Sequence, residues 1–227
     1  MILAAGRGER MRPLTDSTPK VMLEAGGKPL IEWHVERLQR AGVRRVVINH
    51  AWLGEQIERC LGDGKRLGLE IVYSAEQHAL ESAGGIANAL PLIGAQPFLV
   101  VNGDIFTDFE FTALRTRLPQ LDATTRLAHL VLVPNPEHNP EGDFALFDRQ
   151  VNSGGPARLT FSGVGLYHPA LFASVVRGER ARLAPLLRAA MDRGTVSGER
   201  YDGLWIDVGT PERLADLDRL LARRNRR

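Results

Sequence analysis

The sequence predicts an α/β fold: a mainly parallel, Rossmann-like sheet with helices on both faces and an antiparallel elaboration in its later part. Three observations predict it. Apolar runs that read as strands alternate with segments of helical periodicity from Ile2 to Val133, the order of βαβ units. The run "PFLVVNGD" is almost continuously apolar, as in a strand covered on both sheet faces. After Pro134 the runs shorten and are broken by turn residues, the habit of antiparallel strands.

The elements follow in order. "ILAA" reads as a buried first strand. Strands usually have about five or six residues, so a few native residues are expected before Met1. "PLIEWHVERLQRAG" reads as a helix: Ile31, Val35 and Leu38 share a face, His34 packs at its boundary, and Gly42 is placed as the C′ residue. "RVVINH" is a strand, "GEQIERCLG" a short helix and "LEIVYS" a strand. "AGGIANALPLI" reads as a helix entered through glycines, followed by the "PFLVVNGD" strand. "EFTALRTRL" reads as helical and "LAHLVLV" as a strand. "FALF", "ARLTFSG" and "VGLYH" read as separate short strands, and helices near Leu183–Asp192 and Pro211–Arg224 flank "LWIDVG". With no internal repeat and no low-complexity linker, the 227 residues read as a single domain.

Composition excludes several classes. A hydrophobic fraction of 44% and a charged fraction of 25% are those of an ordinary globular chain. The net charge of +2 is too small to point to nucleic acid, and the basic "RRNRR" end reads as a solvated tail. The one cysteine, Cys60, rules out an internal disulfide and fits a reducing, cytoplasmic setting. No apolar run is long enough to cross a bilayer, so no membrane association is expected. Met1–Ala5 is too short for a signal-peptide core. The six histidines show no zinc spacing.

In open α/β sheets, ligands bind outside the carboxyl ends of the strands. Three strands end there in glycine or polar residues: "AAGRGERMRP", "VVNGDIF" and "WIDVGT". The first is not a Walker A loop, because the Gly-Lys pair is missing. It is not a full dinucleotide fingerprint either, because Met11 stands where the third glycine belongs. Its chemistry still suits a polyphosphate. Successive amides of a glycine-rich turn form an anion nest, and Arg7, Arg10 and Arg12 add planar cationic forks. A tight turn with solvated arginines is the plain alternative. Asp104 follows a buried strand next to Gly103, and Asp207 repeats the arrangement before Gly209. Each alone reads equally as a turn or N-cap residue. As a pair beside a cationic loop they favour Mg²⁺, which takes one or two protein carboxylates plus phosphate oxygens.

"LAAGRGERMRPLTDSTPK" resembles the signature of the sugar-1-phosphate nucleotidyltransferases. "GGKPLIEW", "ESAGGIANAL", "VVNGD" and "WIDVGTPE" resemble later blocks of that family in the same order. The resemblance covers nearly the whole chain. It implies a Rossmann-like nucleotide-diphosphosugar transferase fold. Residues 1–133 would form the nucleotide-binding part and 134–227 the sugar-phosphate-binding part. The implied reaction is NTP plus sugar 1-phosphate giving NDP-sugar plus pyrophosphate. "INHAWLGEQIE", "NPEGDFAL", "LTFSGVGLYHPALF" and "TVSGERY" resemble the branch that uses UTP and N-acetylmuramic acid α-1-phosphate in cell-wall sugar recycling.

The resemblance also assigns roles. Arg10 would hold the β- and γ-phosphates, and Lys20 would bridge the α-phosphate and the sugar phosphate. Asp104 and Asp207 would hold Mg²⁺. The loop at Gly6, Gly8 and Glu9 would cradle phosphate. Leu3, Ala4, Glu76, Gln77 and Gly85 would read the base, although Gln77 reads almost as well as an exposed loop amide. Asn102 and Gly103 would face ribose or the sugar phosphate. Gly142 and Asp143 would line the acceptor mouth, with a turn aspartate as the alternative. Arg158 and the neighbourhood of Asn139 are candidates for an acceptor carboxylate.

The chain departs from the family in lacking an acidic-Lys-Pro motif, since "NSGGPARLTFSG" stands there, and in carrying Val21 within "PKVMLEAGG". His50 and Trp52 would either line the sugar pocket or fill a groove at a helix start. Cys60 need not be a nucleophile. The expected partners are UTP and a sugar 1-phosphate, with no nucleic acid and a monomeric or weakly self-associating chain. A guanylyltransferase, or a sensing module of the same fold, is the alternative.

Overall fold

The chain opens on β1 (Ile2–Leu3), then the ribbon β2 (Glu24–Ala25) and β3 (Lys28–Pro29), α1 (Leu30–Arg40), β4 (Arg45–His50) and α2 (Gly54–Leu61). Next come β5 (Glu70–Ala75), α3 (Glu81–Ile93), β6 (Phe98–Asn102), β7 (Ile105–Thr107), β8 (Ala128–Val133), β9 (Phe144–Phe147) and β10 (Gln150–Asn152). The last elements are β11 (Arg158–Tyr167), α4 (Leu183–Asp192), β12 (Val196–Arg200), β13 (Trp205–Asp207) and α5 (Pro211–Arg224). They belong to a computed structural model that describes residues 1–224; the Asn225–Arg227 end of the basic tail lies outside the described residues. Among the described residues, no helix is long and apolar enough to cross a membrane.

The described chain packs as two compact units, each assembled from separate stretches. The first holds Ile2–Ala79, Asn102–Glu110 and the residues from Leu204 onwards. Its main strands run β5–β4–β1, all parallel, with Ile2 beside Ile48 and Leu3 beside Asn49. α1 buries Leu30, Ile31, His34, Val35 and Leu38 along one stripe, the spacing that helical periodicity dictates. It stops at Gly42, whose φ of 80° suits the left-handed C′ position. A second ribbon pairs β7 with β13 antiparallel, setting Asp207 opposite Ile105. Ala25, Leu30, Phe106, Val208, Leu217 and Leu221 form the core beneath that ribbon and seat it on α1 and α5. Each large apolar side chain buried there stabilises by roughly 1.5–3 kcal/mol.

The second unit holds Met1, Leu80–Val101 and Phe111–Gly203. Its strands run β6–β11–β8–β12–β10–β9, and β9 also pairs with β11. All of these pairings are antiparallel except β12 with β8. The parallel character is thus concentrated in the first unit and the antiparallel elaboration in the second.

Three of the expected elements take a different form. "ARLTFSG" and "VGLYH" form one strand, β11: the register slips between Phe161 and Gly165, and Gly163 at φ 80° lets the chain bulge without breaking. "EFTALRTRL" forms a 3₁₀ turn over Phe111–Thr116. Phe111 and Leu114 are its buried residues, and a spacing of three matches three residues per turn. The helix at "AGGIANALPLI" starts earlier, at Glu81, so Gly84 and Gly85 lie inside α3. Gly84 is there for close approach, because a Cβ on it would stand 2.3 Å from the Glu179 carbonyl oxygen.

Candidate active site

The loop after β1 is held open by its own chemistry. Gly8 has φ 69° and starts the 3₁₀ turn Glu9–Met11. A Cβ on Gly8 would lie 3.0 Å from Thr15 Cγ2 and 3.1 Å from Lys20 Cβ, so this position requires glycine twice over. Among the described residues, no hydrogen bond engages the backbone N–H of Gly6, Arg7, Gly8, Glu9 or Arg10. Successive unpaired amides of this kind form an anion-binding nest.

The three arginines of the loop divide. The Arg7 guanidinium stacks on Trp52 at 4.0 Å and donates to the Thr15 carbonyl at 2.6 Å and to Asp16 at 3.0 Å. Arg12 also donates to Asp16, at 2.9 Å. Both therefore brace the loop from outside instead of facing a polyphosphate, and these two contacts hold the Asp16 carboxyl below the usual range, the Arg7 hydrogen bond contributing most. Arg10 makes no side-chain hydrogen bond or ion pair with any described residue, which leaves its fork available.

Lys20 is buried, with its side chain 9% exposed, and its Nζ lies 2.6 Å from Asp104 Oδ2. Asp104 is positioned by Gly103, whose N–H donates to the Leu3 carbonyl at 2.8 Å. A Cβ on Gly103 would meet that oxygen at 2.7 Å and Val21 Cγ1 at 2.8 Å, so only glycine lets the strand end lie this close to β1. The Val208 N–H donates to the Asp104 carbonyl at 2.9 Å. The β7–β13 ribbon thereby brings the backbones of Asp104 and Asp207 side by side across about a hundred residues of sequence.

Asp207 Oδ2 accepts from Arg213 Nη1 at 2.7 Å. The buried Gly209 closes this group: a Cβ on it would stand 2.7 Å from Arg213 Nη2, 3.0 Å from Arg10 Nη2 and 3.1 Å from Asp207 Oδ1. Arg213, unnoticed in the sequence, is thus part of the constellation. Its signal was present only as the third residue of the helix after "WIDVGT".

Asn49 is a second addition. It is buried at the end of β4 and links two expected residues. Its Oδ1 accepts from the Ala4 N–H at 3.0 Å, and its Nδ2 donates to Glu76 Oε1 at 2.7 Å. Ala4 N–H and Leu3 C=O are therefore occupied within the protein. Glu76 is buried, while Gln77 is exposed. Asn102 is half-buried at the end of β6. An open groove of about 960 Å³, bordered by Met22, His50, Gln56 and Glu76, runs beside α2. His50 borders that groove, and both His50 and Trp52 also pack against neighbours. His50 Nε2 lies 2.7 Å from Glu58 Oε1, and Gly54 must be glycine because a Cβ would overlap the His50 ring at 1.8 Å.

Gly85, Gly142 and Asp143 belong to the second unit. Gly85 is buried in α3. Gly142 has φ 62°, and a Cβ there would meet Asn135 Oδ1 at 2.6 Å. The Asp143 carboxylate accepts from the Phe161 N–H at 2.8 Å and from Asn139 Nδ2 at 3.3 Å. Asn139 also donates to Thr160 Oγ1, and Arg158 lies 3.6 Å from Glu141. Asp143 thus serves as a backbone brace in this structure.

Two groups near the site are held neutral. His34 Nε2 donates to the Ile105 carbonyl at 2.8 Å, at the start of β7, while its buried Nδ1 has no partner among the described residues. Protonating Nδ1 would put an unpaired N–H in the core, and burial lowers the pKa to about 4. Burial, then the neighbouring Glu32, pushes the Cys60 thiol up, which keeps it from acting as a thiolate. Among the described residues, no group of three or more His, Cys, Asp or Glu gathers to hold a metal. Asp104 and Asp207 supply only hard carboxylate oxygens. That donor set fits Mg²⁺ completed by phosphate oxygens and water, and fits poorly a metal caged wholly by protein.

The sequence profile of the nucleotidyl transferase family matches residues 1–142. The chain is 56% identical over 226 residues to the N-acetylmuramate alpha-1-phosphate uridylyltransferase of Neisseria meningitidis serogroup B, covering 97% of this chain and 96% of that protein. It is 35% identical to the protein of the same name from Caulobacter vibrioides, covering 93% and 92%. A solved structure from Bacillus anthracis, assigned as a glucose-1-phosphate thymidylyltransferase, superposes with a TM-score of 0.84 at 20% identity, covering 97% of this chain and 93% of that one. That likeness concerns the fold.

Proposed function

The chain belongs to the nucleotidyl transferase family, and we propose that it transfers the uridylyl group of UTP to N-acetylmuramic acid α-1-phosphate, giving the UDP-sugar and pyrophosphate. The observation that carries this reading is the convergence, in one unit, of an open amide nest, Arg10, the Lys20–Asp104 pair and the Asp207–Arg213 pair. The choice of substrates rests on the 56% identity to the Neisseria protein.

An oxygen of the sugar phosphate attacks the α-phosphorus of UTP. The new P–O bond forms as the bond from the α-phosphorus to the β-phosphate bridge oxygen breaks, and pyrophosphate leaves in line. The nucleophile is already an anion, so no general base is required. Catalysis consists of alignment and charge neutralisation.

Lys20 sits where the α-phosphate and the sugar phosphate meet, and Arg10 faces the phosphates that depart. The amides of Gly6, Gly8 and Glu9 cradle the triphosphate. Asp104 and Asp207 would hold a divalent metal, Mg²⁺ by the hardness of its ligands, which when bound supplies Lewis-acid neutralisation of phosphate charge. In the free protein the same carboxylates neutralise Lys20 and Arg213, so the site holds its cations ready without leaving them unpaired. Glu76 and Gln77 read the base, and Asn102 and Gly103 the ribose or sugar phosphate. The single reduced cysteine and the substrates support a cytoplasmic setting.

Mixing the protein with UTP, Mg²⁺ and N-acetylmuramic acid α-1-phosphate is expected to release one pyrophosphate per UDP-sugar formed. Addition of EDTA should stop the release. Pyrophosphate formed without the sugar phosphate would point to hydrolysis and against transfer.

A further inference from the structure

We infer that Arg213 is a phosphate-binding residue that forms, with Arg10, a two-guanidinium clamp for the β- and γ-phosphates; the inference rests on the proposed transfer and adds a residue to it. Three observations lead there. Both guanidinium groups reach the same point, since a Cβ on Gly209 would touch Arg213 Nη2 at 2.7 Å and Arg10 Nη2 at 3.0 Å. Two such cations stay close only with an anion to share. In the free protein Asp207 neutralises Arg213 alone, 2.7 Å from its Nη1 with both side chains 20% exposed, and Arg10 has no ion pair among the described residues. Arg213 also lies in the first turn of α5, where the helix dipole opposes a cation. It gains nothing there from the helix, which leaves its place to be explained by what it faces.

The proposed chemistry calls Asp207 away. A carboxylate turned to a divalent metal no longer neutralises Arg213 fully, and the phosphates of the leaving group supply the missing anion. Arg213 would then exchange one oxygen partner for another. Its fork suits two phosphate oxygens at once, which a lysine cannot match. Gly209 keeps the space between the forks open, and any side chain there would occupy it.

The test is calorimetric titration of inorganic pyrophosphate into wild type, Arg213→Ala and Arg213→Lys, each with Mg²⁺ and in excess EDTA. Thermal melts confirm that each variant is folded. The clamp predicts at least tenfold weaker binding for Arg213→Ala with Mg²⁺, with Arg213→Lys between it and wild type, and a smaller loss in EDTA, where Asp207 still neutralises Arg213. It also predicts a raised KM for UTP in Arg213→Ala, with the KM for the sugar 1-phosphate within twofold of wild type.

A loss that vanishes at saturating Mg²⁺, so that Arg213→Ala only needs more metal to bind pyrophosphate as wild type does, would mean that Arg213 only positions Asp207, and would overturn the clamp. Unchanged pyrophosphate binding in Arg213→Ala would do the same. If wild type binds no pyrophosphate in either condition, the proposed transfer fails first and the clamp falls with it.

Discussion

Lys20 keeps an ammonium group almost out of water, and it does so against one oxygen of Asp104, 2.6 Å away. A buried cation without such a partner is expensive, so the lysine and the aspartate hold each other in place before any ligand arrives. The same holds for Arg213 and Asp207. Asp104→Ala and Asp207→Ala are each expected to remove activity at ordinary Mg²⁺ while the far-ultraviolet circular dichroism stays native. Losing one metal ligand should cost several kcal/mol of charge stabilisation, on the order of a thousandfold in rate. Near-wild-type turnover in either variant would remove the metal assignment.

His34 makes a prediction about stability. Its pKa is about 4 in the fold against about 6.5 unfolded. The unfolded chain therefore binds a proton between these values and the native chain does not, so stability falls as pH drops from 6.5 to 4 and is intact above 6.5. The slope due to His34 is about 1.4 kcal/mol per pH unit. Urea midpoints of wild type and His34→Gln should converge as pH falls through that window. Parallel pH profiles would show that His34 titrates normally.

At the scale of elements, the phosphate loop is stapled from outside. Arg7 lies between Trp52 and Asp16, Trp52 Nε1 donates to the Thr15 carbonyl at 3.0 Å, and Gln56 donates to the Ser17 carbonyl at 2.8 Å. The loop is thus braced on its outer side, while its amides have no hydrogen-bond partner among the described residues. Trp52→Ala removes the stack and one hydrogen bond. A cation–π contact at such a site is worth about 0.5–2 kcal/mol, so the KM for UTP should rise about three- to tenfold with kcat changed less. Limited proteolysis between residues 7 and 18 should also quicken. An unchanged KM with unchanged proteolysis would mean that the staple does nothing for the loop.

What could be read in advance follows from how local each signal is. Gly8, Lys20, Asp104 and Asp207 sit in short motifs whose spacing carries the chemistry, so the sequence alone marks them. Arg213 and Asn49 do not, because their meaning comes from partners on other elements: Asp207 across a helix start and Ala4 and Glu76 on two strand ends. Arg7 and Arg12 were over-read for the same reason, since nothing local says that Asp16 and Trp52 would claim them.

At the scale of the whole molecule, the alternation of strands and helices made the α/β class legible, and the parallel β1–β4–β5 group answers to it. The antiparallel part was harder. A bulge at Gly163 hides one long strand as two, and β12 pairs with β8 through "VSGER", which has no strong apolar alternation to announce it. The acceptor side was also the least legible. Asp143 braces a backbone amide, and Asn139 and Arg158 already have partners, so which group meets an acid-bearing sugar depends on contacts made only with substrate.

Steady-state kinetics on a nucleotide-by-sugar panel test the substrate pair. UTP, GTP, dTTP and CTP would each be paired with the 1-phosphates of N-acetylmuramic acid, N-acetylglucosamine, glucose and mannose in the presence of Mg²⁺. The highest kcat/KM is expected for UTP with N-acetylmuramic acid α-1-phosphate, at least tenfold above every other pair. A preference for GTP with mannose 1-phosphate, or no turnover with any pair, would contradict it.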